Sequence, residues 1–239
     1  MSAAEAIPVD PWLEHLRQHL PIAREGSDPE GVHQVRVAAG RLRVWLELAG
    51  REVPDDDLRW LRKRADAVRD LDVLLEEDPP EAWAAWLRGE RERAREPWLE
   101  TFEHPRLAGL LAALESLPPI PVERAAEGLG ALVRRVVRRG RRARRREASD
   151  ARLHDLRRAL RRLRYGLDWL GRSEPVVKEL QQAFGRVNDL SVTREWLERS
   201  PATAALNGFA DELAADHRRA RGEAQALWRE RAELVEGLA

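Results

Sequence analysis

The chain of 239 residues contains no cysteine, which removes disulfides, thiol nucleophiles and thiolate metal sites together. No uninterrupted apolar run approaches the length of a membrane span, and the opening MSAAEAIPVDPW has neither a basic n-region nor an apolar h-region. A soluble, cytoplasmic protein is therefore expected, with no membrane partner. Net charge is also missing, because 42 Lys and Arg balance 42 Asp and Glu. Only one Tyr and three Phe accompany nine Trp, and the Trp spacing follows the Leu and Ala pattern. That spacing predicts core packing for the indoles and leaves few rings for stacking nucleobases. At 43% hydrophobic residues, the chain has enough apolar material for one large or two small cores.

The neutral sum hides an uneven distribution. Residues 1–120 carry 16 basic and 24 acidic side chains, whereas residues 121–239 carry 26 and 18. From Arg134 to Arg164 there are 15 arginines against Glu147, Asp150 and Asp155. Only Lys63 and Lys178 are lysines, for which a GC-rich coding sequence is sufficient explanation. The asymmetry points to a polyanionic partner.

Ala, Leu, Arg and Glu dominate and apolar positions recur at three and four, so the chain is expected to be all-α. Ser27-Asp28-Pro29-Glu30 reads as a capping box, and Ser173-Glu174-Pro175 and Ser200-Pro201 as further helix starts. Eight helices are expected near 10–20, 30–50, 55–77, 80–116, 121–147, 150–171, 174–198 and 201–237, with Pro97 and Pro105 as candidate breaks in the fourth. Pro118-Pro119-Ile120-Pro121 divides the chain near its midpoint.

The halves repeat. HQVRVAAGRLRVWLEL at 33–48 and HDLRRALRRLRYGLDW at 154–169 share His, Arg at +3, Arg at +8, Leu at +9 and Arg at +10. About 36 residues downstream, Val68-Arg69-Asp70-Leu71-Asp72-Val73 aligns with Val187-Asn188-Asp189-Leu190-Ser191-Val192. An internal duplication giving two four-helix bundles, 1–118 and 119–239, is the natural reading.

On a helical wheel started at His154, Leu156, Leu160, Leu163, Leu167 and Leu170 fall between about 160° and 240°. His154, Arg157, Arg161 and Arg164 fall between about −80° and 0°. Val35, Ala39, Leu42, Leu46 and Ala49 repeat the core stripe in the first half, and His33, Arg36 and Arg43 the cationic one. A merely solvated face usually mixes signs and gains from i,i+4 ion pairs. Stacked arginines repel, so their recurrence points to a binding face. The helix at 121–147 adds a flank stripe of Arg135, Arg139, Arg142 and Arg146 beside a core of Leu129, Leu132, Val133 and Val136. Arg134, Arg138, Arg141 and Arg145 fall on its solvent side. If this helix lies antiparallel to the His154 helix, the two stripes form one cationic wall. Guanidinium forks suit phosphate oxygens. A wall free of carboxylates would have no general base and no Mg²⁺ ligand, and so would bind phosphate rather than cleave it.

At His33-x-x-Arg36-Val37-x-x-x-Arg41-Leu42-Arg43 and His154-x-x-Arg157-x-x-x-Arg161-Arg162-Leu163-Arg164-Tyr165 the sequence resembles the CHAD family, the conserved histidine α-helical domain. Arg69-Asp70-Leu71-Asp72-Val73 and Phe184-Gly185-Arg186-Val187-Asn188-Asp189 extend the resemblance over nearly all of residues 1–239. It implies two pseudo-symmetric four-helix bundles about a basic central cavity, binding of inorganic polyphosphate and association with polyphosphate granules. It also implies a stand-alone member without a fused triphosphatase domain, not an enzyme and without a cofactor. His33, Arg36, Arg41, Arg43, Arg69, Arg135, Arg139, Arg142, Arg146, His154, Arg157, Arg161 and Arg164 are the candidate ligand contacts. The sequence departs from the family at Gly40, where the second repeat has Arg161.

Other readings stay open. A phosphate-binding wall also accepts a nucleic-acid backbone, here the secondary partner. His154-Asp155 resembles the dipeptide of metal-dependent phosphohydrolases, but its two side chains point about 100° apart on a helix. A polyphosphatase or triphosphatase, and a scaffold pairing acidic and basic halves of two copies, are the remaining rivals. Asp70, Asp72 and Asp189 are expected to cap helices or pair with arginines, and His15, His19, His104 and His217 to be ordinary surface or interface residues. The oligomeric state is not readable.

Gly40 and the acidic first half predict binding weighted toward the second half. Charge reversal at Arg157 and Arg164 should weaken polyphosphate binding more than reversal at Arg36 and Arg43, as measured by titration with a labelled polymer. A larger effect from the first-half pair would refute this weighting.

Overall fold

The computed structural model describes residues 6–145, 147–201 and 206–238. Among these, nine helices account for the fold: α1 (Asp10–Glu25), α2 (Pro29–Ala49), α3 (Asp55–Glu76), α4 (Glu81–Glu103), α5 (Pro105–Glu115), α6 (Val122–Ala143), α7 (Asp150–Trp169), α8 (Pro175–Arg199) and α9 (Asn207–Glu236). The two-residue strands β1 (Ala6–Ile7) and β2 (Ile120–Pro121) pair antiparallel, with Ile7 opposite Ile120. The fold is all-α. It divides into two compact units, Met1–Ala125 and Ala126–Ala239.

The one additional helix arises where the sequence marked a break. His104 is extended, as a residue before proline prefers, and its Nδ1 accepts from the Arg106 N–H at 3.1 Å as α5 begins. Pro97, by contrast, stays inside α4. Its neighbours fix that segment to the end of α1: Trp98 Nε1 donates to the Ala23 carbonyl at 3.0 Å, and Arg95 donates to the carbonyls of Arg24 and Glu25. Tertiary contacts therefore hold the helix through a residue that lacks a donor. At α2, Asp28 rather than Ser27 is the N-cap, accepting from Glu30 N at 2.8 Å. Ser200, expected to open the last helix, instead closes α8, and α9 starts at Asn207.

In the first unit α1 packs on α2, α2 on α3 and α3 on α4, while α5 folds back onto α1 and α3. Val35, Ala39, Leu42 and Leu46 are fully buried, as their stripe requires. Gly31 lets α2 approach α1 closely, since a Cβ there would lie 2.6 Å from the Ala23 nitrogen. Trp45 is buried and its Nε1 donates to the Ile7 carbonyl at 3.1 Å, tying β1 to α2. None of the nine indoles is exposed, in keeping with the core role expected of them.

In the second unit α7 packs on α8 and α8 on α9. Leu156, Leu160, Leu163 and Leu167 are buried to 1% exposure or less, and Leu129, Leu132, Val133 and Val136 form the buried side of α6. α9 holds α6 in two ways. Trp228 lies against Gly140, where a Cβ would come within 1.8 Å of the indole. Gln225 donates to the carbonyls of Ala143 at 2.8 Å and Arg145 at 2.7 Å, satisfying main-chain acceptors that a helix end leaves over.

Gly140 sets two effects against each other. Helix propensity alone favours Gly140→Ala by about 1 kcal/mol, but the buried, rigid Trp228 ring cannot yield as a flexible side-chain end could. Overpacking of this kind costs about 1–3 kcal/mol. G140A should therefore lower the urea midpoint, and an unchanged or raised midpoint would show that the α6–α9 contact is looser than described.

Candidate functional site

In the first unit, α2 presents His33, Arg36 and Arg43 toward α3. Arg36 Nη2 lies 2.9 Å from Asp66 Oδ1 and its Nη1 3.5 Å from Asp70 Oδ1. Arg43 grips Asp55 with both arms of its fork, at 2.7 and 3.0 Å. On α3, Arg69 pairs with Glu76 at 3.3 Å. His33 is half-buried. Burial lowers its pKa below the ordinary 6.5, and the charges of Arg69 and Arg36 push the same way against Glu30 and Glu76. Arg41 is turned off the stripe, its guanidinium 4.3 Å from the Trp12 ring of α1.

In the second unit, α7 presents His154, Arg157, Arg161 and Arg164 on one face. His154 Nδ1 meets Asn188 Oδ1 of α8 at 2.6 Å. Because a carboxamide oxygen only accepts, Nδ1 carries the proton and Nε2 is left for other contacts. Burial lowers the His154 pKa below 6.5, opposed by the Asn188 hydrogen bond and reinforced by the charges of Arg158, Arg157 and Arg161. Arg157 stands 3.7 Å from Asp189. Arg164 lies over the Tyr165 ring at 5.3 Å, with its Nε buried and making no hydrogen bond.

α6 reaches the same place through Arg139, which donates to the main-chain oxygen of Asp155 at 2.9 Å and lies 3.3 Å from its carboxylate. Burial raises the Asp155 pKa, but hydrogen bonding by Arg158 and the charge of Arg139 outweigh it and hold the carboxyl below its ordinary range. Arg135 is half-buried on the same flank. Arg142 instead lines a groove on the outer side of α6 with Arg138 and Arg141. Arg146 lies outside the described residues.

The expected carboxylate-free wall needs correction. The arginines of both stripes face acidic groups from the next helix: Asp66 and Asp70 at Arg36, Asp189 at Arg157. One contact occurs within each unit, between the arginine three after the histidine and the aspartate of the downstream motif, at 3.5 Å for Arg36–Asp70 and 3.7 Å for Arg157–Asp189. Asp72 is buried against Arg91, whose Nε lies 2.5 Å from its Oδ1; burial raises the Asp72 pKa against the pull of Arg91. Its counterpart Ser191 hydrogen-bonds the buried His217 at 2.9 Å. Both tie the second helix of the motif to the one that follows, α3 to α4 and α8 to α9.

Sequence reasoning overlooked Asp66 and the role of Asn188. Asp66 was findable, since it precedes Asp70 by one helical turn and shares its face. Among the described residues no group of three or more His, Asp or Glu is placed to hold a metal, and no helix is long and apolar enough to cross a membrane.

A family model for the CHAD domain matches residues 9–198. The crystal structure of the CHAD domain from the plant Ricinus communis is similar, with a TM-score of 0.67 and 23% identity over 99% of this chain and 94% of that one. PptA from Streptomyces chartreusis is similar with a TM-score of 0.73 and 18% identity, over 93% of this chain and 97% of that one. No curated protein matches the sequence. At these identities the structural likeness speaks for the fold.

The lowered pKa values of His33, His154 and His217, each caused first by burial, give stability a definite pH slope. As pH falls through about 6.5, the unfolded chain takes up protons that the folded chain refuses, so unfolding becomes easier. The urea midpoint should fall between pH 7.5 and 5.5, and the double variant His33→Gln/His154→Gln should show a shallower fall. A flat profile in the wild type would contradict the burial of these rings.

Proposed function

The chain belongs to the CHAD domain family, and on that footing we propose that it binds inorganic polyphosphate without hydrolysing it, in the cytoplasm and on polyphosphate granules. The observation that carries this reading is the cationic face of α7. His154, Arg157, Arg161 and Arg164 stand within three turns, and the charges of Arg157, Arg158 and Arg161 help to depress the titration of His154. Burial is the first cause of that depression, and the three guanidinium charges add to it; arginines gathered on one face make a positive field that attracts phosphate.

Each guanidinium offers two parallel N–H bonds to adjacent phosphate oxygens. His154, with Nδ1 committed to Asn188, has Nε2 available, and an approaching phosphate raises its pKa so that Nε2–H donates. Arg157 stands 3.7 Å from Asp189, and a phosphate can take the place of that carboxylate. In the first unit Arg43 is held by Asp55 with two arms and Arg36 by two aspartates. With Gly40 where the second repeat has Arg161, and an acidic first half, binding is weighted to the second unit, and Arg43 orients rather than grips. The carboxylates present are engaged with arginines. None of them is offered as a base to activate water, which supports a holding role.

Affinity arises largely from release of counterions, so it falls steeply with salt. Four phosphate contacts give a slope of about −3 in log K against log salt, using the single-strand coefficient. The test is polyphosphate binding between about 50 and 200 mM salt with single-stranded DNA as competitor. Polyphosphate should displace DNA and not the reverse, and no phosphate should be released with Mg²⁺ or Mn²⁺. Displacement by DNA would favour a nucleic-acid binder, and metal-dependent release would make the protein an enzyme.

A further inference from the structure

We propose that the outer side of α6 is a second binding site for a linear phosphate chain, separate from the His154 face. A groove of about 930 Å³ lies there, lined by seven arginines and one carboxylate, Glu236 of α9. Arg134, Arg138 and Arg141 follow one another at helical spacing, over about 10 Å of axis, and Arg145 follows in the turn after α6. Arg142, Arg144 and Arg152 complete the lining.

The charge here is barely compensated. Arg141 pairs with Glu236 at 3.2 Å. The other six make no ion pair or side-chain hydrogen bond with any described residue. That sets them apart from Arg36, Arg43 and Arg157, each of which faces an aspartate. Seven guanidinium groups crowded around a single carboxylate repel one another, and a bound polyanion relieves that repulsion.

The groove also selects the chemistry of its occupant. Its apolar lining is Val133 and Val137, with no aromatic ring on which a base could stack. Charges repeated along successive turns suit a polymer charged at every unit better than a single phosphate. The identity of that polymer rests on the function proposed above, but the site does not. On α6, Arg134 and Arg138 lie about 100° around the helix from Arg135 and Arg139, the latter being committed to Asp155. One chain therefore holds two phosphate polymers, or two stretches of one, and can cross-link strands.

The test is calorimetric titration of the full chain with a polyphosphate too short to reach both surfaces. Wild type should bind two oligomers per chain. Arg134→Gln/Arg138→Gln/Arg145→Gln, all at exposed positions, should keep its circular dichroism and retain one site, with the affinity and salt dependence of the remaining site unchanged. His154→Gln/Arg157→Gln/Arg161→Gln should retain only the outer site. Glu236→Gln, which removes the one carboxylate, should tighten the outer site several-fold. Unchanged stoichiometry in the α6 variant overturns the second site and leaves the His154 reading standing. Loss of all binding in the His154 variant also overturns it. Unchanged binding in the His154 variant, with loss in the α6 variant, would retain this site and overturn the earlier one. Displacement of the outer oligomer by duplex DNA at lower concentration overturns the phosphate-chain assignment.

Discussion

Arginines stacked one turn apart on a helix repel one another, and the helix must be held by something other than its own charge. On α7 that support is the opposite face. Leu156, Leu160, Leu163 and Leu167 are buried, each contributing about 1.5–3 kcal/mol, while like-charge neighbours on a helix cost only a few tenths of a kcal/mol per pair. Burial wins by a wide margin. The cationic face can then be chosen for what it binds rather than for what stabilises the helix. The carboxylates of the neighbouring helix trim the remaining repulsion where the arginines are most enclosed.

The two units solve this problem with different residues at matching positions. Where α3 has Arg69 beside His33, α8 has Asn188 hydrogen-bonded to His154. Where α3 buries Asp72 against Arg91, α8 sets Ser191 against His217. The first unit thus spends more of its charge internally. A buried pair of this kind is costly to break, because the surviving partner is left charged and desolvated. The second unit uses neutral hydrogen bonds at the same two places.

Much of this could be read before any coordinates existed, and the reason is periodicity. Stripes of Leu and of Arg at three- and four-residue spacing identify a helix, its buried side and its cationic side from nearby residues alone. Prolines and glycines mark where helices stop. What could not be read depended on distant residues. The carboxylates opposite Arg36 and Arg157 lie on another helix, some thirty residues away in sequence. Arg41, a candidate contact, lies over the ring of Trp12, which belongs to α1. Pro97 fails to break α4 because Arg95 and Trp98 anchor the segment to α1, whereas Pro105, with His104 positioned as a cap, does break it.

The end of α6 has one further consequence. A helix carries about half a negative charge at its C-terminus, from peptide carbonyls that lack a partner along the chain. Arg141, Arg142, Arg144 and Arg145 sit at that end, where Gln225 donates two hydrogen bonds and Arg229 a third, to the Arg144 carbonyl. The backbone therefore offsets part of the repulsion among these arginines. Unlike a carboxylate, it cannot be protonated, and a ligand need not evict it.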